Sequence, residues 1–270
     1  MNFMRCLITM VLLNRFGIGF NNKFRQISHI NCSKKLRYVS DIHIDKKNRH
    51  TNIDTLKSDK LVVVGDLGNP LHNSFYPYLE KLAKGCDKLY FVPGNHEYDI
   101  GPQYNKNQVK LFKPMITQMC KSISNVVLLD NEIVHLDNST ILAGTTLWSN
   151  PVLFDNILPK NNEYSDHIEE HKRCVEWIKK ICIEYKDTQI IMASHFIPTF
   201  KLIEPKYMKL GLHRTSWFAS NLEDLIRKPI IGWISGHSHS IIECEVNGIK
   251  CGINAANQDV NLIKTACIEY

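Results

Sequence analysis

The chain has 270 residues, 44% hydrophobic and 22% charged, with a formal net charge of +6. That mix excludes a mainly disordered chain, because enough apolar surface is present to offset the entropy of ordering. It also excludes a polytopic membrane protein, since no run reaches the roughly 18–20 uncharged apolar residues of a spanning helix.

The charge is unevenly spread. Residues 1–40 carry seven Lys or Arg and no Asp or Glu, so the remaining 230 residues hold 26 basic and 27 acidic side chains. A near-neutral body gives no long-range field to steer nucleic acid, which stays an alternative partner but not the favoured one. Residues 1–35 stand apart as an N-terminal extension. A short apolar run, Cys6 to Leu13, follows Arg5, and a basic, acid-free stretch follows that. The segment reads either as a targeting peptide for an organelle or for secretion, or as a plain extension of the body. Nine scattered cysteines with no C-x-x-C spacing suggest reduced, buried thiols and a cytoplasmic protein.

From Leu36 onward the pattern is regular. Apolar, β-branched runs at Leu36–Ser40, Leu61–Gly65, Lys88–Val92, Gln189–Ala193 and Ile230–Ser235 predict buried strands of about five residues. Shorter strand-like runs occupy Val126–Leu129, Ile133–Leu136 and Thr140–Ala143. Helical spacing predicts helices over Phe75–Lys84, Gln108–Cys120 (with Pro114 as an interruption or kink), Glu163–Tyr185 and Ser216–Arg227. The C-terminal runs Ile241–Val246, Ile249–Ile253 and Leu262–Ile268 predict a meander, with Asn247-Gly248 as a hairpin turn. Strand–helix alternation broken by hairpins predicts a layered α/β domain with two sheets.

The polar residues sit at the strand ends. The first predicted strand runs into Asp41-Ile42-His43, the second into Asp66, and the third into Gly94-Asn95-His96-Glu97. The strand Gln189–Ala193 runs into His195, and Ile230–Ser235 into Gly236-His237-Ser238-His239. Ligands of α/β sheets bind beyond the carboxyl ends of strands. Carboxylate, amide and imidazole donors without a thiolate suit two divalent or trivalent metal ions of the Mn, Fe or Zn kind. Two ions a few ångströms apart are the usual means of activating water against a phosphoryl group.

These motifs resemble those of the calcineurin-like metallophosphoesterase superfamily: D-x-H at 41–43, G-D at 65–66, G-N-H-[ED] at 94–97, a lone His at 195 and G-H-x-H at 236–239. The resemblance spans residues 36–270. It implies a four-layer α/β/β/α sandwich, two mixed β-sheets flanked by helices, with a dinuclear metal site at the strand C-terminal ends. It implies that Asp41, His43 and His239 hold one metal, Asn95, His195 and His237 the other, and that Asp66 bridges both. It implies that a metal-bridging hydroxide attacks a phosphomonoester or phosphodiester in line, while His96 protonates the leaving group. The alternatives are a nuclease or phosphodiesterase on nucleic acid, or a metal-binding scaffold without catalysis.

The resemblance stops short of the protein Ser/Thr phosphatases. Their G-D-x-x-D-R-G is replaced by Gly65-Asp66-Leu67-Gly68-Asn69-Pro70-Leu71, which lacks the second Asp and the Arg. The residue after His195 is Phe196, where many smaller relatives have a second His. Substrate contacts are expected from His213 and Arg214, the latter suited to an anion. Tyr98, Tyr104 and His213 are expected to line the cleft, and Trp148 either to line it or to pack. Specificity is expected to reside in the segments 99–112, 148–164 and 200–216. The string His167-Ile168-Glu169-Glu170-His171 has the spacing of a zinc-binding helix but is read as capping and surface charge.

Overall fold

The computed structural model describes residues 34–46, 52–57, 59–152, 162–256 and 262–270. The readings made for residues 1–33 and for part of the 148–164 segment lie outside these.

One sheet has the order β13-β1-β3-β4-β5. Its strands are β1 (Lys35–Val39), β3 (Lys60–Val64), β4 (Lys88–Val92), β5 (Val126–Leu128) and β13 (Ala266–Glu269). All its pairings are parallel except β13, which runs antiparallel along the edge of β1. The second sheet has the order β10-β11-β9-β8-β7-β6. It contains β6 (Glu132–His135), β7 (Thr140–Thr145), β8 (Gln189–Ser194), β9 (Ile230–Ser235), β10 (Ile241–Val246) and β11 (Ile249–Asn254). Four central strands are parallel, and β6 and β10 are antiparallel edges. A two-stranded parallel ribbon joins β2 (Asn52–Ile53) to β12 (Leu262–Ile263).

Alternation along the strands sets the layers. Val62, Val64, Tyr90 and Val92 of the first sheet meet Leu142, Ile191, Ala193 and Ile234 of the second in one buried cluster. The intervening residues Leu61, Val63, Leu89 and Phe91 point the other way. There α1 (Phe75–Lys84) covers them, with the Phe75 ring 6.3 Å from Phe91, beside α2 (Lys106–Lys121). On the far side of the second sheet, α3 (Asn162–Glu184) supplies Cys174, Ile178 and Ile181 to the core that holds Ile141, Ala143, Ile190 and Met192. Strands buried on both faces must be apolar throughout, which accounts for their unbroken hydrophobic runs.

Three local expectations differ. Helix α2 runs through Pro114 without a break and is capped by Asn105, whose Oδ1 accepts from the N–H groups of Asn107 and Gln108 at 3.1 Å. The expected strand 262–268 is cut in two because Thr265 leaves the ladder, donating its N–H and hydroxyl to Asp54 Oδ1 at 2.6 and 2.9 Å. The helix expected over Ser216–Arg227 does not form. The turn of helix lies earlier, in α5 (Leu212–Thr215), just after α4 (Pro205–Met208). Beyond it the Ser220 N–H donates to Ile197 O at 2.9 Å and Ala219 bridges Ile197 in parallel. The backbone of 219–220 is thus taken up by the chain leaving β8, and helical bonds are forgone. The hairpin at Asn247-Gly248 forms with both residues at positive φ, as a tight two-residue turn requires. No helix among the described residues is long and apolar enough to cross a membrane.

Candidate metal centre

Strands β1, β3, β4, β8 and β9 all end at one rim, and the chain turns sharply after each. Asp41, His43, Asp66, His237 and His239 have φ between 49° and 70°. Asp and His enter this left-handed region more readily than most residues, yet such conformations cost ~1–3 kcal/mol and persist where the surroundings over-determine them. Two glycines make room. A Cβ on Gly65 would fall 2.2 Å from His195 Nδ1, and one on Gly94 would fall 2.2 Å from Asp66 Oδ1.

The turns bring the polar side chains into contact. Donor atoms of Asp41, His43, Asp66 and His239 lie within 4.8 Å of one another, as do those of Asp66, His195 and His237. Asp66 belongs to both groups. Its Oδ1 is 3.3 Å from His195 Nε2, and its Oδ2 is 3.7 Å from His43 Nε2. His43 Nε2 and His239 Nε2 are 3.1 Å apart, and so are His195 Nε2 and His237 Nδ1. Asn95 donates its Nδ2 to Ile100 O at 2.8 Å, which leaves Oδ1 facing His195 Nε2 at 3.2 Å. His195 Nδ1 sits 3.0 Å from Val64 O. That bond places the proton on Nδ1 and frees the Nε2 lone pair, the arrangement that orients a metal-binding imidazole. Asp41 is held by the His237 N–H, 3.1 Å from each carboxylate oxygen.

The electrostatics call for a cation. Asp41 and Asp66 are buried together, and among the described residues their only ion-pair partners are histidines. Burial pushes Asp41 up to about 7. Burial also opposes ionisation of Asp66, but His195 and the other imidazoles hold it well below the usual carboxylate range. The reciprocal effect holds His195 up at about 9 against its own burial. Burial pushes His43 down to about 2 and His239 to about 4. Facing imidazole nitrogens at hydrogen-bond distance, and a carboxylate pair without Lys or Arg, fit a bound metal better than a set of protons.

His96 follows Asn95. Its backbone N–H donates to Asp66 Oδ1 at 3.0 Å, its Nε2 is 3.9 Å from Asp66 Oδ2, and its ring stands edge-on to His43 at 4.6 Å. Asn69 turns elsewhere, donating to Asp99 Oδ1 at 2.8 Å.

Of the other expected residues, Tyr98 and Tyr104 are placed differently from the sequence reading, whereas Trp148 takes the packing role of its two readings. Tyr98, Tyr104 and Trp148 are buried and pack as an aromatic layer, with Phe196 5.1 Å from Trp148 and 4.1 Å from the His237 ring. They do not line the cleft. His213 is half-buried in α5, whereas Arg214 is exposed and lines a cavity of about 590 Å³ shared with His237, Ser238 and His239. His167 and His171 are not surface residues but are buried. His167 Nδ1 accepts the Tyr104 N–H at 2.8 Å, its Nε2 lies 2.9 Å from Ser149 O, and His171 Nδ1 lies 2.5 Å from Trp148 O. They pin the loop that carries Trp148, and the H-x-x-E-H string is a structural brace.

Sequence reasoning missed the role of Glu97. Its Oε2 accepts the N–H groups of Gly94 and Asp66 at 2.6 and 2.9 Å, and its Oε1 accepts that of Gly68 at 3.0 Å. One buried carboxylate thereby joins the two ligand-bearing loops. The available signal was an acidic residue in a turn otherwise made of site residues.

Residues 35–240 match the family model described as calcineurin-like phosphoesterase. The chain belongs to that family. As a calcineurin-like phosphoesterase with two clustered sets of metal donors, it is a metal-dependent hydrolase of phosphoric ester bonds. It is 30% identical to uncharacterized protein L509 of Acanthamoeba polyphaga mimivirus, over 81% of this chain and 89% of the relative. In fold it is similar to the crystal structure of phosphopantetheinyl hydrolase from Mycobacterium tuberculosis. That match has a TM-score of 0.61 and 16% identity, over 82% of this chain and 88% of the other.

Proposed function

We propose that Asp41, His43 and His239 hold one metal ion, that Asn95, His195 and His237 hold the second, and that Asp66 is shared by both. The observation that carries this reading is the position of Asp66, whose two oxygens face separate groups of nitrogen donors. Mn, Fe or Zn suits these donors. When bound, the metal pair supplies an activated water as nucleophile and neutralises charge on the phosphoryl oxygens.

The chain's own residues do the rest. His96 stands beside Asp66 with its side chain 39% exposed, so it can reach an oxygen of a substrate lying over the cluster. It donates a proton to the departing alcohol, a contribution typically worth ~10²–10⁴-fold. Arg214 lines the cavity beside His237 and His239, where its guanidinium meets an anionic group of the substrate. The main-chain bonds at Asp41, His195 and Glu97 hold the donors in place before any ligand arrives. Residues 1–33 are read as an extension of this catalytic body, which takes in Lys35 as the first residue of β1. The seven described cysteines are all free thiols, which supports a reducing, cytoplasmic setting.

The test uses the purified full chain, stripped of metal and then given Mn²⁺. Hydrolysis of an aryl phosphomonoester and of the matching bis-aryl diester is followed, with Asp66→Asn as control. Metal-dependent turnover that disappears in the control supports the reading. A chain that binds no metal refutes it.

A further inference from the structure

The cavity beside the metal cluster has an apolar wall. About 590 Å³ of space lies between Tyr207, Leu210, Arg214 and Phe218 on one side and His237 and His239 on the other, a size suited to a small organic group. Tyr207, Leu210 and Phe218 are 38%, 45% and 37% exposed. Large apolar side chains left in water beside a polar centre mark a binding surface. The wall is continuous with the cluster, since the Phe218 ring lies 5.0 Å from that of His237 at an angle of 35°. Charge in the cavity is sparse: Lys206 is paired with Glu204 at 2.7 Å, and Arg214 is the cation left without an ion pair among the described residues.

His96 does not line this cavity. It joins the site through Asp66 and the ring of His43. In an in-line displacement the leaving oxygen sits opposite the attacking one, and the other substituents of phosphorus splay outward around that axis. An organic group retained on phosphorus can therefore point into the apolar cavity while the leaving oxygen faces His96. A phosphomonoester has a single organic group, and only a diester has one for each place.

We propose that the enzyme hydrolyses phosphodiesters, and that Tyr207, Leu210 and Phe218 hold the apolar organic group that stays on phosphorus. This rests on the reading of His96 given above. Water adds its oxygen to phosphorus and releases a proton to solvent, the bond from phosphorus to the departing oxygen breaks, and that oxygen takes the proton of His96, which solvent then restores. The products are an alcohol and the phosphomonoester of the retained group, and no oxidant or reductant takes part.

The experiment holds the leaving group constant and varies what is retained. The Mn²⁺-loaded full chain is given p-nitrophenyl phosphate, p-nitrophenyl methyl phosphate and p-nitrophenyl phenyl phosphate. The expected kcat/KM for the phenyl diester exceeds that of the methyl diester by about tenfold or more, with the monoester lowest. Leu210→Ser and Phe218→Ser should bring the phenyl-to-methyl ratio toward unity. Calorimetric titration of the wild-type chain provides a readout independent of turnover and of the variants' folding. There diphenylphosphinate should bind about tenfold or more tightly than dimethylphosphinate. A monoester cleaved faster than either diester, or rates and affinities indifferent to the retained group, would overturn the proposal alone. Absence of metal-dependent turnover on all three esters would overturn the underlying reading of the site and the proposal with it.

Discussion

The Glu97 carboxylate accepts the backbone N–H of Asp66 at 2.9 Å, from a residue that is itself fully buried. With the bonds to Gly68 and Gly94, it fixes the turn that presents Asp66. Gln at this position keeps one acceptor and turns an amide N–H₂ toward a backbone donor. Glu97→Gln should destabilise the protein by about 1–3 kcal/mol and weaken metal binding about 10–100-fold. Urea unfolding and metal titration measure the two effects.

His167 sets a pH dependence. Its Nδ1 accepts a backbone N–H and its Nε2 faces a carbonyl, so a second proton has no acceptor. Burial lowers it from 6.5 to about 4. Below pH 6.5 the unfolded chain binds a proton here that the folded chain refuses, so stability falls as the pH drops from 6.5 to about 4. Above pH 6.5 this contribution is constant. The loss over the window is about 3 kcal/mol. Unfolding of wild type and His167→Gln between pH 4 and pH 7 should show the slope of the first reduced in the second.

His96→Asn separates proton donation from metal binding. Alkyl esters, whose alcohols leave poorly without a proton, should lose about 10²–10⁴-fold in kcat. p-Nitrophenyl esters leave as a stable anion and should lose far less. Metal stoichiometry should stay at the wild-type value.

Arg214→Gln should act on binding. Removing a charge-assisted hydrogen bond to an anionic substrate should raise KM by about tenfold or more with a smaller change in kcat. An equal fall in kcat and kcat/KM would instead place Arg214 on the transition state.

Several features were legible in the sequence because they are local. Strands buried on both faces must be apolar along their whole length, so β3, β4, β8 and β9 appear as unbroken runs. Each ends where Gly, Pro or His interrupts the run. Local pattern failed where distant backbone competed. Residues 216–227 have a helical rhythm, but Ile197 takes the backbone of 219–220. His167 and His171 sit in a charged helix, yet their face turns inward to the Trp148 loop.

The sequence by itself determined the two-sheet α/β class and the polar residue types at the strand ends. Both follow from side-chain period and turn chemistry over a few residues. Tertiary structure alone decided that oxygens of Asp66 lie within 4 Å of His43, His96 and His195, and that Phe218 flanks His237. It also decided that Glu97 clasps two loops and that Tyr207, Leu210 and Arg214 share a cavity with the cluster. These are contacts between segments far apart in the chain, set by how the layers pack, and no local periodicity encodes them.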